Sequence, residues 1–333
     1  MAHFGFKLLR NFSLLFGGKG LSGLPFATSL YQFVYARVRP KGIVEVSAQG
    51  YRFFINSADT ALAPYLIMRG VYAADETALL RKLLKPGMTY VDVGANIGYF
   101  SIIAAGLVGA GGKVIAFEPD EENFSLLQKN IARNGCTNIA TVKKGLSDKE
   151  GTAQFYLNEK NLCSHTMVPR KGDRVVEIET TTLDKYFEGA RVDPVRNRAR
   201  AGNEKSVSDS AAPAMLRNVD NGRTESSPAT SNGVNVIKID VEGAEPLALL
   251  GMQQTIACSP KLALLTEFFP EALHRGGFDP KKYLDDLVGL GFTLYRIEGA
   301  APEKLLPEDI DRIARGEGFR KLTYLLCLKG QTI

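Results

Sequence analysis

The sequence predicts an α/β protein built on a doubly wound, mostly parallel sheet that follows a helical and β-hairpin extension. Three observations predict it. From residue 88 onward short apolar runs alternate with amphipathic segments, the pattern of strands joined by right-handed helical crossovers. Tyr90-Val91-Asp92-Val93-Gly94-Ala95-Asn96-Ile97-Gly98-Tyr99-Phe100 reads as a buried strand running into a glycine turn and then a helix. Val114-Ile115-Ala116-Phe117-Glu118-Pro119 is a second short apolar run that ends in an acid, 24 residues after Gly94.

Residues 43–57 alternate around Gly50 (Ile43, Val44, Val46, then Tyr51, Phe53, Phe54, Ile55) and predict a β-hairpin. Residues 59–85 show helical spacing, with Leu79, Leu80, Leu83 and Leu84 on one stripe and Pro86-Gly87 as the stop. Residues 1–85 are thus expected to form the extension and 86–333 the main domain. Strands are expected near 89–93, 113–117, 139–144, 234–240, 262–267, 292–297 and 321–328. Asp120 is placed to cap a helix that stops at Gly135, and Asp279 another that begins with Pro280 and ends near Gly291. Thr152–Leu157 and Val175–Thr182 alternate like an added hairpin between the third and fourth strands. Residues 189–233 contain no aromatic residue and no isoleucine. They cannot bury enough apolar surface to offset ordering entropy, and are expected to be a disordered insertion with a basic cluster at Arg196, Arg198 and Arg200.

Charge is unevenly distributed. The chain of 333 residues carries 41 basic and 36 acidic side chains, net +5. Its first 42 residues hold Lys7, Arg10, Lys19, Arg37, Arg39 and Lys41 and no acid, which leaves the remainder at −1. A domain built around nucleic acid normally carries a basic stripe of its own, so no nucleic-acid partner is expected. The basic N-terminus suits peripheral contact with anionic lipid or an acidic partner. Cys136, Cys163, Cys258 and Cys327 form no C-x-x-C pair and have no histidine at metal spacing, as in a reducing compartment. With no convincing signal peptide or membrane span, a cytoplasmic location is expected.

The glycine turn is suited to a nucleoside ligand without a pyrophosphate. Dinucleotide enzymes space glycines as G-x-G-x-x-G, whereas Asn96 and Tyr99 stand here at the third and sixth positions. Gly94 permits the tight turn, and Gly98 is expected to let backbone and ligand approach closely. A side chain at Asn96 and an acid at Asp92 suit a ligand with an amino-acid tail, such as S-adenosylmethionine. A carboxylate at Glu118 can accept both ribose hydroxyls. A nicotinamide dehydrogenase shares that acid but not the glycine spacing.

The second constellation is Val236-Ile237-Lys238-Ile239-Asp240-Val241-Glu242-Gly243-Ala244-Glu245, a buried strand that releases three acids within six residues. Strand alternation puts Lys238 and Asp240 on one face, and Glu242 in the turn beyond. The carboxyl ends of strands form the ligand crevice of a doubly wound sheet, which places Asp240 and Glu242 beside the glycine turn. Glu242 and Glu245 could also serve only to favour the next helix, since acids suit helix N-termini.

These motifs resemble the FkbM family of S-adenosylmethionine-dependent methyltransferases. Val91 to Phe100 matches that family's first motif, Phe117-Glu118-Pro119 its second strand end, and Lys238 to Glu245 its late signature. Gly70-Val71-Tyr72 with Glu76, Leu146-Ser147-Asp148, Thr182-Leu183-Asp184 and Glu267 also fall where the family leads one to expect them. The resemblance implies a class I, Rossmann-like sheet of seven strands whose last is antiparallel. It implies that Asp92, Gly94, Asn96 and Gly98 hold the methionine end of S-adenosylmethionine, Glu118 the ribose, and Leu146 and Ser147 the adenine. A hydroxyl on a sugar, glycan or secondary metabolite is the implied acceptor, with Asp240, then Glu242, then His165 as candidate general bases. No resident metal is expected, although Asp240, Glu242 and Glu267 could hold a divalent cation through oxygen ligands. The alternative from another class is a non-catalytic scaffold that keeps the cofactor fold and uses its basic N-terminus and insertion for partners.

Overall fold

The computed structural model describes residues 39, 41–158, 161–192, 233–297, 301–315, 317 and 323–332. The hairpin is present as β1 (Ile43–Ala48) and β2 (Tyr51–Asn56), with Ala48 paired to Tyr51. Gln49 and Gly50 both take positive φ, the conformation whose twist suits a two-residue hairpin loop. The helical stripe over 59–85 is two helices, α1 (Leu62–Arg69) and α2 (Ala74–Leu83). Gly70, at φ +66, closes α1 by donating its N–H to Tyr65 and Leu66, and Ala73 at φ +43 redirects the chain into α2. Side-chain spacing alone does not register such a break.

The remaining elements in chain order begin with β3 (Thr89–Val93), α3 (Tyr99–Val108), β4 (Lys113–Phe117), α4 (Glu121–Arg133), β5 (Ile139–Val142) and β6 (Gly145–Leu146). Next come β7 (Gly151–Leu157), β8 (Arg174–Thr181), α5 (Leu183–Val192), β9 (Val236–Ile239), α6 (Glu245–Leu250), α7 (Gln253–Ala257) and β10 (Leu262–Phe268). The last are α8 (Pro270–Arg275), α9 (Pro280–Gly289), β11 (Thr293–Ile297), β12 (Glu303–Lys304), α10 (Pro307–Ala314) and β13 (Thr323–Lys329).

The main sheet runs β12-β11-β13-β10-β9-β3-β4-β5. Pairing is parallel from β5 to β10, and β13 inserts antiparallel between β10 and β11. This is the expected seven-stranded order with a two-residue edge strand, β12, added at one side. Asp120 accepts from the N–H of Asn123 to cap α4, and Asp279 accepts from Lys281 to cap α9, as their spacing predicts. The β7–β8 hairpin forms a small separate sheet with β6.

Alternation along β3 sends neighbouring side chains to opposite layers. Tyr90 enters a core with Phe53 and Ile55 of the hairpin, Leu66 of α1, Leu80 of α2, and Ile102 and Ile103 of α3. Val91 and Val93 enter the other core with Phe117, Ile237, Ile239, Leu264, Leu284 and Leu287. The N-terminal elements from 43 onward therefore share a core with the sheet. Asn130 fastens them: its amide donates to the carbonyls of Phe54 and Ile97 and accepts from the N–H of Phe54.

Helix α5 carries regular structure four residues into the expected insertion, to Val192. The rest of that insertion up to residue 232, including Arg196, Arg198 and Arg200, and most of the basic N-terminus lie outside the described residues. Among the described residues no helix is long and apolar enough to cross a membrane.

Candidate active site

The carboxyl ends of β3, β4 and β9 converge on one open cavity of about 870 Å³, where a doubly wound sheet places its ligand. The turn after β3 is built by close backbone approach. Gly94 and Ala95 both donate to the carbonyl of Phe117, at 3.0 and 2.9 Å, and Asp240 donates its N–H to Val93 at 3.0 Å. A Cβ on Gly94 would lie 2.1 Å from the Asp240 carbonyl oxygen, and one on Gly98 would lie 2.5 Å from Cδ1 of Leu127. Both glycines thus clear space for other parts of the protein. This corrects the expectation that Gly98 clears space for the ligand.

Glu118 is 4% exposed and lines the cavity. Its Oε2 accepts from the N–H of Asn96 at 2.7 Å and its Oε1 from Asp120 at 2.9 Å. Burial pushes its carboxyl up to about 8 against the pull of those backbone donors. A carboxylate has about four lone-pair sites, so two acceptor directions are left for hydroxyls. Asn96 takes φ +51 and holds the 162 segment through Nδ2 to the Leu162 carbonyl at 3.1 Å.

Beneath the turn lies a buried charge network. Asp92, 1% exposed, accepts from Ser101 Oγ at 2.6 Å, and its Oδ1 has no hydrogen-bond partner among the described residues. Burial raises its pKa, offset in part by Lys238 and Ser101. Lys238 pairs with Asp240 at 2.7 Å, with Nζ 4.7 Å from the Phe100 ring centroid. Burial disfavours its ammonium, but Asp240 and Asp92 outweigh that and raise its pKa. The expected shared face of Lys238 and Asp240 is realised as an ion pair.

Asp240, Glu242 and Glu267 each present a carboxylate oxygen, all three within 4.8 Å of one another. Burial, then Asp240, push Glu242 up to about 8, with Arg170 as a weak counter-charge at 3.8 Å. Glu267 is also raised well above the ordinary carboxylate range, by burial first and then by Glu242 and Asp240. Glu245, by contrast, turns inward and accepts the N–H groups of Val241 and Gly243, pinning the turn that carries Glu242. His165 faces the cavity, its Nδ1 accepting from the backbone N–H of Asn158 at 3.0 Å.

Residues 92–196 match the methyltransferase FkbM domain. The match covers 105 of the chain's 333 residues. Among curated relatives, a protein-L-isoaspartate O-methyltransferase from Methanococcoides burtonii is 34% identical over 87 residues, 26% of this chain and 42% of that protein. The catalytic subunit of a tRNA (adenine(58)-N(1))-methyltransferase from Yarrowia lipolytica is 30% identical over 70 residues, 21% of this chain and 18% of that protein. The matched segments therefore span less than half the length of either relative. The structure of a methyltransferase FkbM from Methylobacillus flagellatus is 15% identical, covers 80% of this chain and 52% of that one, and has a TM-score of 0.38.

A domain of that kind uses S-adenosylmethionine, and the residues that line this cavity fit it. Gly94, Asn96, Glu118 and Leu146 line the cavity. Three other expected cofactor residues do not. Asp92 lies under the turn, Gly98 packs on Leu127, and the Ser147 hydroxyl donates to its neighbour Asp148 at 3.0 Å. Phe117, Leu146 and Phe155 give apolar walls near Glu118, as an adenine ring requires. Asp240, Glu242 and His165 all face the same cavity. Sequence reasoning missed Tyr324, Phe100 and Asn123 as lining residues. Tyr324 sits directly opposite Glu267 across the β10–β13 pair, a register that no local pattern encodes.

Proposed function

We propose that the protein is an S-adenosylmethionine-dependent O-methyltransferase whose acceptor is a hydroxyl on a sugar, glycan or secondary metabolite. One observation carries this reading: Glu118, suited to a ribose, and Asp240 with Glu242, suited to a hydroxyl proton, line one cavity. S-adenosylmethionine supplies a methyl group already activated on a sulfonium, so orientation matters most. Proximity and alignment contribute roughly 7–11 kcal/mol, against about 3–5 kcal/mol for a general base worth 10² to 10⁴ in rate.

Within the acid group the roles divide. Asp240, held by Lys238 at 2.7 Å, is the acceptor of the hydroxyl proton. Glu242, pushed up to about 8 by burial and by Asp240, lines the same cavity and is the second candidate. His165, with Nδ1 committed to the Asn158 N–H, offers a donor N–H at Nε2.

Calorimetry with S-adenosylmethionine tests the donor half: binding by the intact protein, weakened at least tenfold in Glu118→Ala, is expected, and no detectable binding refutes it. Mass spectrometry after incubation with isotopically labelled donor and hydroxyl-bearing extracts tests the acceptor half. A product methylated on nitrogen or carbon would overturn it.

A further inference from the structure

The three carboxylates beside the donor turn come from separate places: Asp240 just past β9, Glu242 in the following turn, and Glu267 within β10. Their nearest oxygens lie within 4.8 Å of one another. Oxygens bound to a single cation at about 2.1–2.5 Å lie about 3–5 Å apart, so this spread is that of one coordination shell.

Glu267 supplies an independent sign. It is 3% exposed, and its Oε2 is buried without a hydrogen-bond partner among the described residues. A carboxylate oxygen removed from water and left unmet is costly, which points to an occupant that the protein itself does not provide. Two side-chain cations flank the group, Lys238 on Asp240 and Arg170 at 3.8 Å from Glu242, and neither is a hydrogen-bond partner of Glu267 Oε2. Lys238 is held at 2.7 Å by Oδ2 of Asp240, and Arg170 donates to the carbonyl and hydroxyl of Ser164.

We propose that Asp240, Glu242 and Glu267 form a binding site for one divalent cation beside the cavity, with Asp240 and Glu242 on its lining. The donor set is all carboxylate oxygen, and Cys163 and His165, which line the same cavity, stand outside it. Such a set selects hard cations of the Mg²⁺, Mn²⁺ and Ca²⁺ class over Zn²⁺. The use of the cation, binding and acidifying an acceptor hydroxyl, rests on the O-methyltransferase reading; the site itself does not.

The test uses full-length protein freed of metal with chelator, without methyl donor, and follows Mn²⁺ by electron paramagnetic resonance. One Mn²⁺ per chain is expected, with affinity at least tenfold weaker in Glu267→Gln and in Asp240→Asn and unchanged in Asp286→Asn, an exposed helix acid. Circular dichroism checks that each variant folds, and Glu242→Gln replaces any that does not. The chain has 12 tyrosines and no tryptophan, so Tb³⁺ luminescence in this protein is sensitised by tyrosine alone. Tyr324→Phe should dim the emission of bound Tb³⁺. No Mn²⁺ binding up to millimolar concentration, or equal binding in the wild type and the cluster variants, overturns the proposal. Donor binding measured separately in chelator then shows whether the methyltransferase reading survives on its own.

Discussion

The α-carbon of Gly94 faces the main-chain carbonyl of Asp240 so closely that a Cβ would lie 2.1 Å from its oxygen. The donor turn and the acid strand are thus joined backbone to backbone, at a residue with φ +84. Gly94→Ala must displace Asp240 and also hold alanine in the left-handed region, which by itself costs about 1–2 kcal/mol. A loss of roughly 2–4 kcal/mol in urea unfolding is expected, together with weaker S-adenosylmethionine binding. A loss below about 1 kcal/mol would show that the two strand ends separate freely.

Glu118 predicts the slope of stability against pH. Its folded pKa of about 8 lies above the ordinary value near 4.3 of an unfolded glutamate. Between those values the folded state holds a proton that the unfolded state has released. Its contribution is therefore fully present below about pH 4.3 and is lost as pH rises through about 8. Glu242, at about 8, and Glu245, at about 7, act in the same direction. The urea midpoint should fall between pH 5 and pH 8, and Glu118→Gln should flatten the fall. Parallel pH profiles for the two proteins would remove Glu118 as a source.

What the sequence disclosed and what it concealed divide by range. The buried strands were legible because both faces of a parallel sheet are covered, so residues 114–117 of β4 and 262–265 of β10 print as continuous apolar runs. The caps at Asp120 and Asp279 were legible because each bond spans only two or three residues. Asp240 and Glu242 are two residues apart on one strand end, and their shared site needed only the crevice rule. The role of Gly98 was hidden because the atom it avoids, Cδ1 of Leu127, lies on another helix. Ser147 could not be placed either: its hydroxyl donates to Asp148, and only its neighbour Leu146 lines the cavity.

Asn130 links the hairpin to the donor turn through three hydrogen bonds, at 2.6 Å from the Phe54 N–H and at 3.1 and 2.9 Å to the carbonyls of Phe54 and Ile97. It is fully buried, so Asn130→Ala leaves backbone groups unmet. A cost of about 2–4 kcal/mol is expected at roughly 1 kcal/mol or more per lost bond. Hydrogen exchange should also quicken at Phe54, since its amide loses its acceptor. Unchanged protection there would mean that another group replaces Asn130.

His165 has its proton placement fixed by a partner that can only donate. The backbone N–H of Asn158 points to Nδ1 at 3.0 Å, which makes Nδ1 the acceptor and puts the proton of the neutral ring on Nε2. Burial lowers its pKa below the ordinary 6.5 despite nearby carboxylates, led by Asp120 and Asp173. The stability it contributes is present above about pH 6.5 and lost as pH falls through the lower folded value, opposite in sign to Glu118. A ring in this form cannot take a proton at Nε2, which favours Asp240 over His165 as the proposed base. The chain has only three histidines, so a long-range ¹H–¹⁵N spectrum at pH 7.5, assigned with His165→Gln, resolves the tautomer. A protonated Nε2 and bare Nδ1 are expected, and the reverse pattern would return His165 to the candidate bases.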